Sequence, residues 1–183
     1  MKTAEQIKGA IRNISKEKGV NPNSLLQMCL FEGILEKLSK SKYRENFILK
    51  GGLLISSLIG VDMRSTMDMD TTIKGIPVNE ETITRIINEI LDIEIDIEIS
   101  YKLIKLDITT GDVITPREIK YSYSKILEEG TIPIITYTIE TILAEKFETI
   151  SSRNITTTRA RDFYDLYMIY SLYKDKINEE ILC

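Results

Sequence analysis

Apolar positions along the chain fall first into helical spacing and then into alternation. Over residues 3–19, Ile7, Ala10, Ile11 and Ile14 share one helical face, with Thr3 as a predicted N-cap and Gly19 at the end. Asn21, Pro22 and Asn23 predict a turn, after which Asn23 or Ser24 caps a second helix. Leu25, Leu26, Cys29, Leu30, Ile34, Leu35 and Leu38 give that helix a core stripe. Ser39 to Asn46 reads as a polar loop. A short apolar strand (Phe47, Ile48, Leu49) then runs into Gly51-Gly52. A short helix follows (Leu53, Leu54, Ser57, Leu58), and then a strand carrying Asp68 and Asp70.

Gly75-Ile76-Pro77 breaks that strand, and Asn79 caps a helix reaching about Leu91, with Ile83, Ile86, Ile87 and Ile90 on one face. Residues 91–100, LDIEIDIEIS, alternate isoleucine with Asp92, Glu94, Asp96 and Glu98 and are the strongest strand signal in the chain. Four carboxylates on one strand face suggest a metal, but a charged row without a glycine turn also suits a solvated face or a protected edge. Leu103 to Thr109 predicts another strand, with Leu106 and Ile108 facing one way and Lys105, Asp107 and Thr109 the other. Residues 117–138 are mixed, with Tyr121, Tyr123 and Pro133 before a short apolar run to Tyr137. Ile139 to Ser152 predicts a helix with Ile142, Leu143, Phe147 and Ile150 in its stripe. The last helix is expected to begin near Arg159, capped by Thr156 to Thr158, and to bury Phe163, Leu166, Tyr167 and Tyr170.

Composition narrows the chemistry. The 183 residues fit one domain with helical attachments, and the hydrophobic 43% and charged 28% are ordinary for a soluble globular protein. Histidine is absent, so there is no imidazole base and no His-ligated zinc. Chemistry falls to carboxylates, Lys, Arg, Tyr, Ser or Thr. Cys29 and Cys183 have no metal-type spacing, and Cys29 lies in an apolar pattern; both fit a reducing cytoplasm. No signal peptide or membrane-length apolar run is visible. A net charge of −4 argues against a broad electrostatic nucleic-acid binder, though not against a local basic patch.

The stretch from Lys50 to Lys74 concentrates the candidate chemistry. Alternation puts Asp68 and Asp70 on one strand face, with backbones about 6.5–7 Å apart. Such carboxylates can converge on a pair of divalent cations roughly 3.5–4 Å apart, as in two-metal phosphoryl transfer. A glycine pair lets the backbone approach a ligand, and the following helix offers free N–H groups to phosphate. The same residues also fit a charged, half-exposed strand. Asp107 is either a third carboxylate delivered by a neighbouring strand or a residue facing water. Lys146 falls near the middle of an apolar stripe, so it either snorkels or points at an anion or a carboxylate. Arg153, Arg159, Arg161 and Asp162 gather at or before the last helix. The arginines can bind phosphates, with Asp162 fixing an arginine or Lys146, or the group is a salt-bridged helix start.

FILKGG (47–52), RSTMDMD (64–70), LDITTGD (106–112), ILAEKFETI (142–150) and TRARDFYDLY (158–167) follow one another across most of the chain, after a two-helix lead-in ending in Ser41-Lys42-Tyr43. In this order they resemble the nucleotidyltransferase-like AbiEii/AbiGii toxin family of bacterial abortive-infection and toxin–antitoxin systems. The resemblance implies an α/β (α+β) fold, a DNA-polymerase-β-like nucleotidyltransferase core with N- and C-terminal helices. It implies a helical lead-in over 1–46, a core over 47–116 and a C-terminal helical region over 117–183. Asp68 and Asp70 match its metal ligands, Asp107 its third acidic position, and Lys146 and Asp162 positions tied to activity. Lys50, Gly51, Gly52 and Arg64, with Ser65 beside it, match the nucleotide-cradling stretch.

Two departures stand out. Many nucleotidyltransferases have Gly-Ser where this chain has Gly51-Gly52, which removes a hydroxyl contact to phosphate. The interval from Asp70 to Asp107 and the C-terminal region are both short for the family, as in a minimal or truncated form.

The resemblance implies a toxin for phage defence that uses Mg²⁺, two ions being expected, to move a nucleoside monophosphate from an NTP to an RNA 3′ end, with tRNA as the expected acceptor. A cognate antitoxin is an implied partner, and a cytoplasmic location is expected. Two other readings stay open: a nucleotidyltransferase that AMPylates a partner protein, and a catalytically silent nucleotide-binding regulator.

Overall fold

A computed structural model describes residues 3–95, 104–152 and 160–182 of the protein. Two helices lead in, α1 (Ala4–Lys18) and α2 (Pro22–Lys40). Thr3 caps α1 in a reciprocal capping box with Gln6, and Gly19 ends it in the left-handed region at φ 66°. Asn21 rather than Asn23 or Ser24 caps α2, accepting from the Asn23 N–H, because Pro22 already occupies the first helical position. Then come β1 (Phe47–Lys50), α3 (Gly51–Ile59), β2 (Asp68–Ile73) and α4 (Glu80–Leu91), the last capped by Asn79 as expected. The chain continues through β3 (Lys105–Thr110), β4 (Ile119–Ser124), β5 (Thr131–Thr136), α5 (Ile139–Ser152), α6 (Ala160–Tyr173) and, after a 3₁₀ turn at Lys174–Lys176, α7 (Glu179–Leu182).

The strands form one mixed sheet in the order β3-β2-β1-β5-β4. β1 is antiparallel to β2 and parallel to β5, while β3 joins β2 in parallel. The core lies where the sheet meets its helices. Phe31 and Leu35 from α2, Ile48 and Leu49 from β1, and Leu53, Leu54 and Ile55 from α3 are all buried there with Ile142 and Ile169. Burying each such side chain stabilises the fold by about 1.5–3 kcal/mol. α3 is apolar almost all round, which seats it between β1, β2 and α6. That packing fixes the glycine turn at its start.

The structure departs from the sequence reading in three places. The alternating run 91–100 is no strand over its described part: Leu91 ends α4 and residues 92–95 form a turn and coil. Lys37 takes the carbonyls of Leu91, at 2.7 Å, and of Ile93, so these groups are unavailable to a ladder. Residues 96–100 lie outside the described residues. Second, the mixed stretch 117–138 supplies two paired strands, β4 and β5, whose short alternations are hidden by Pro133 and by tyrosines. Third, α6 turns Phe163, Tyr167 and Tyr170 outward and buries Asp162, Asp165 and Ile169. Phe147 of α5 is likewise exposed. Leu166 does pack against the core.

Candidate active site

The site begins where β1 gives way to α3. Gly51 has φ +64°, and a Cβ there would overlap the Asp70 carboxylate. Gly52 is confined differently: a Cβ would lie 2.6 Å from Thr66 Oγ1 and 3.1 Å from Arg64 Nη2. Both positions therefore exclude a side chain, one by conformation and contact, the other by contact alone. The Gly52 N–H donates to Asp70 Oδ2 at 3.4 Å, which ties the turn to the acidic strand.

Strand register sets the acidic face. Asp70 lies opposite Lys50 across the antiparallel β1–β2 pair and opposite Asp107 across the parallel β2–β3 pair. Asp68 lies opposite Lys105. Asp68, Asp70 and Asp107 thus share one face, as alternation predicts. Burial raises the Asp70 carboxyl above its ordinary range, and the negative charges of Asp107 and Asp68 add to the rise against the Gly52 hydrogen bond.

Lys105 is the cation these carboxylates share. Its ammonium lies 2.7 Å from Asp107 Oδ2 and 3.4 Å from Asp68 Oδ1. Among the described residues no three acidic side chains close on one point. Asp70 Oδ2 turns to the Gly52 amide while the other two carboxylates turn to Lys105. The donor set is nonetheless hard carboxylate oxygen on one face, which suits Mg²⁺. An ammonium already sits between two of the three groups, so a cation is accommodated there.

Lys50 reaches the opposite side of the glycine turn. It pairs with Asp112, approaches Glu145 Oε1 at 3.5 Å, and lies 5.5 Å from the centre of the Tyr137 ring. Burial pushes the Asp112 carboxyl up. Its hydrogen bonds from Lys50, from the Tyr137 hydroxyl (2.6 Å) and from Thr109 (2.8 Å) outweigh that and hold it at about 2.

α5 and α6 close the third side. Lys146 donates to Asp162 Oδ1 at 2.6 Å and lies 3.0 Å from Asp165 Oδ2. Arg64 Nε donates to Asp165 Oδ1 at 2.9 Å, and Asp165 is 0% exposed. Together these elements enclose a cleft of about 770 Å³.

Ten of the candidate residues line that one cleft: Lys50, Gly51, Gly52, Arg64, Asp68, Asp70, Asp107, Lys146, Arg161 and Asp162. Ser65 does not; its carbonyl accepts from Arg64 Nη1. Arg153 and Arg159 lie outside the described residues. Sequence reasoning missed Thr66, Lys105 and Glu145, which also line the cleft, and Asp165 behind it. Lys105 alternates with Asp107, and Asp165 follows Asp162 by one helical turn, so periodicity carried a signal for both.

Residues 33–182 match the family model for the nucleotidyl transferase AbiEii toxin of type IV toxin–antitoxin systems. The chain belongs to the AbiEii family. Membership implies an antitoxin partner. The AbiEii chain also resembles the crystal structure of an antigenic nucleotidyltransferase-like protein from Paracoccidioides brasiliensis, with a TM-score of 0.54 and 15% sequence identity, covering 80% of this chain and 76% of that one. At that identity the likeness shows the fold, and the fold is nucleotidyltransferase-like. No curated protein matches the sequence. Among the described residues no helix is long and apolar enough to cross a membrane.

Proposed function

We propose that this AbiEii-family toxin is a metal-dependent nucleotidyltransferase that moves a nucleoside monophosphate from an NTP to an RNA 3′ hydroxyl, with tRNA as the expected acceptor. The observation that carries the reading is the contact between the glycine turn and the acidic strand. Gly51 and Gly52 have no room for side chains because Asp70, Thr66 and Arg64 press against them. A triphosphate held on the turn therefore lies beside the carboxylates.

Each residue has a part. The Gly51-Gly52 backbone at the start of α3 receives phosphate oxygens. Arg64, Lys146 and Arg161 offset the negative charge of the triphosphate, with Asp162 orienting Lys146. Asp68, Asp70 and Asp107 would hold two Mg²⁺ ions, which when bound supply charge neutralisation for the triphosphate and its leaving pyrophosphate. Asp107 Oδ2 takes the proton of the acceptor hydroxyl. The hydroxyl oxygen bonds to the α-phosphorus as the bond to the β-phosphate bridging oxygen breaks, and pyrophosphate leaves.

Transfer from each of four α-labelled NTPs, with MgCl₂, to total bacterial tRNA and to total protein tests this directly. Label in tRNA supports the reading and names the base. Label in a protein band instead would replace it with AMPylation. Triphosphate binding without any label would make the protein a nucleotide-binding regulator.

A further inference from the structure

Asp165 touches none of the cleft, yet it contacts two of the cations that line it. Its Oδ1 accepts from Arg64 Nε at 2.9 Å, and its Oδ2 lies 3.0 Å from Lys146 Nζ and 3.5 Å from Arg64 Nη2. The loop before β2 and the helices α5 and α6 meet on this one carboxylate. Arg64 is 8% exposed and Asp165 0%. An ion network this deep contributes little stability beyond what apolar packing of the same volume would give. Its presence calls for another reason.

The path of the Arg64 backbone is already fixed without Asp165. Its N–H donates to the Gly60 carbonyl at 3.0 Å, and its carbonyl accepts from the Ser56 hydroxyl. Tyr164 and Tyr173 of α6 clamp the same segment through the carbonyls of Met63 (3.3 Å) and Leu58 (2.7 Å). What remains is the aim of the guanidinium, whose Nη1 donates to the Ser65 carbonyl and whose Nε and Nη2 face Asp165. Its fork is planar and rigid, so fixing Nε and one edge fixes the whole group. Asp165 does this, and Nη2 then comes within 3.1 Å of where a Cβ on Gly52 would stand.

We propose that Asp165 is a positioning residue for the triphosphate: it aims Arg64 Nη2 over the Gly52 backbone and holds Lys146 beside it. The inference rests on the nucleotidyltransferase reading above. A free arginine samples many rotamers at a cost in ordering; a held one meets the phosphate without that cost.

Calorimetric titration with ATP, GTP, CTP and UTP, and with the matching monophosphates, in the presence of MgCl₂ tests it. Asp165→Asn keeps the shape and one acceptor. Its affinity for the preferred triphosphate is expected to fall about tenfold or more, with the monophosphate almost unchanged. In an Arg64→Met, Lys146→Met background the same substitution should cost less than about threefold, because both of its targets are gone. Equal losses for triphosphate and monophosphate, or the same factor in both backgrounds, would make Asp165 merely structural and overturn the inference.

Should Asp165→Asn fail to fold, Arg64→Lys carries the test. It keeps the charge pair but not the second nitrogen over Gly52, so triphosphate affinity should drop about tenfold in protein that still melts cooperatively. Wild-type affinity in that variant overturns the inference. Wild-type protein that binds no triphosphate overturns the nucleotidyltransferase reading, and the inference with it.

Discussion

Asp70 and Asp107 are register partners on the parallel strands β2 and β3, side by side on the face that meets the glycine turn. They lie 37 residues apart in sequence, and nothing local brings them together. The sheet order does, by placing β3 on the free edge of β2. The charge of Asp107 helps, after burial, to lift the Asp70 carboxyl. Two carboxylates in this relation repel each other unless a cation sits near them.

Lys105 is the cation now in contact with Asp68 and Asp107, and it competes for the same oxygens as a metal. Lys105→Gln should lower the MgCl₂ concentration giving half-maximal nucleotide transfer, by about twofold to fivefold. A titration of initial rate against MgCl₂ checks this. An unchanged or higher requirement would mean that Lys105 assists substrate instead.

Gly51→Ala should strain the turn and press a methyl group into the Asp70 carboxylate. The left-handed conformation alone costs about 1–2 kcal/mol for an alanine. Thermal melting should fall accordingly, and transfer should fall further, by about a hundredfold, because Asp70 itself must move. Gly9→Ala, where a Cβ meets nothing within 4 Å, serves as the control and should leave transfer unchanged.

Glu32 gives a pH dependence unrelated to the site. It is buried in α2 and accepts from the Ile126 N–H at 2.7 Å. Burial pushes its carboxyl from 4.5 up to about 7, against the Ile126 hydrogen bond and the charge of Lys125 and with the charges of Glu128 and Glu36. The folded-state value lies above the unfolded one. Its stabilising contribution is therefore full below 4.5 and lost as pH rises through about 7. Denaturant melts between pH 5 and 8 should show wild type losing up to about 3 kcal/mol more than Glu32→Gln. Parallel curves would contradict the buried carboxyl.

The outward face of α6 makes a simple contrast. Tyr167 is 69% exposed and Ile169 is 0% exposed. Tyr167→Ser should change stability by less than about 0.5 kcal/mol, while Ile169→Ala should cost about 2–5 kcal/mol. Chemical denaturation of the two variants decides which face packs. A large loss for Tyr167→Ser would return the aromatic face to the core.

Much of the site was legible from the sequence because its parts are local. Alternation put Asp68 and Asp70 on one face, and Gly51-Gly52 marked a turn where the backbone can approach a ligand. The strand of Asp107 was legible too, though its partner was not. What stayed hidden depends on charges meeting across the fold. In α6 the periodicity of aromatic residues pointed to Phe163 and Tyr167 as the inner face. Lys146 draws Asp162 inward, one of the pairings the sequence offered, while Arg64 and Lys146 together draw in Asp165, which hydrophobic counting has no means of seeing. Over residues 92–95 the alternation misled for a similar reason, since Lys37 takes the carbonyls of Leu91 and Ile93 that a strand would have used.

The central claim is that the acidic face of β2 and β3 carries nucleotidyl transfer. Its most direct test is incorporation of α-labelled NTP into tRNA by wild type and by Asp68→Asn, each first shown to melt cooperatively at a similar temperature. The account predicts transfer by wild type and a loss of at least about a thousandfold in the folded variant. Transfer within about twofold of wild type in Asp68→Asn would contradict it.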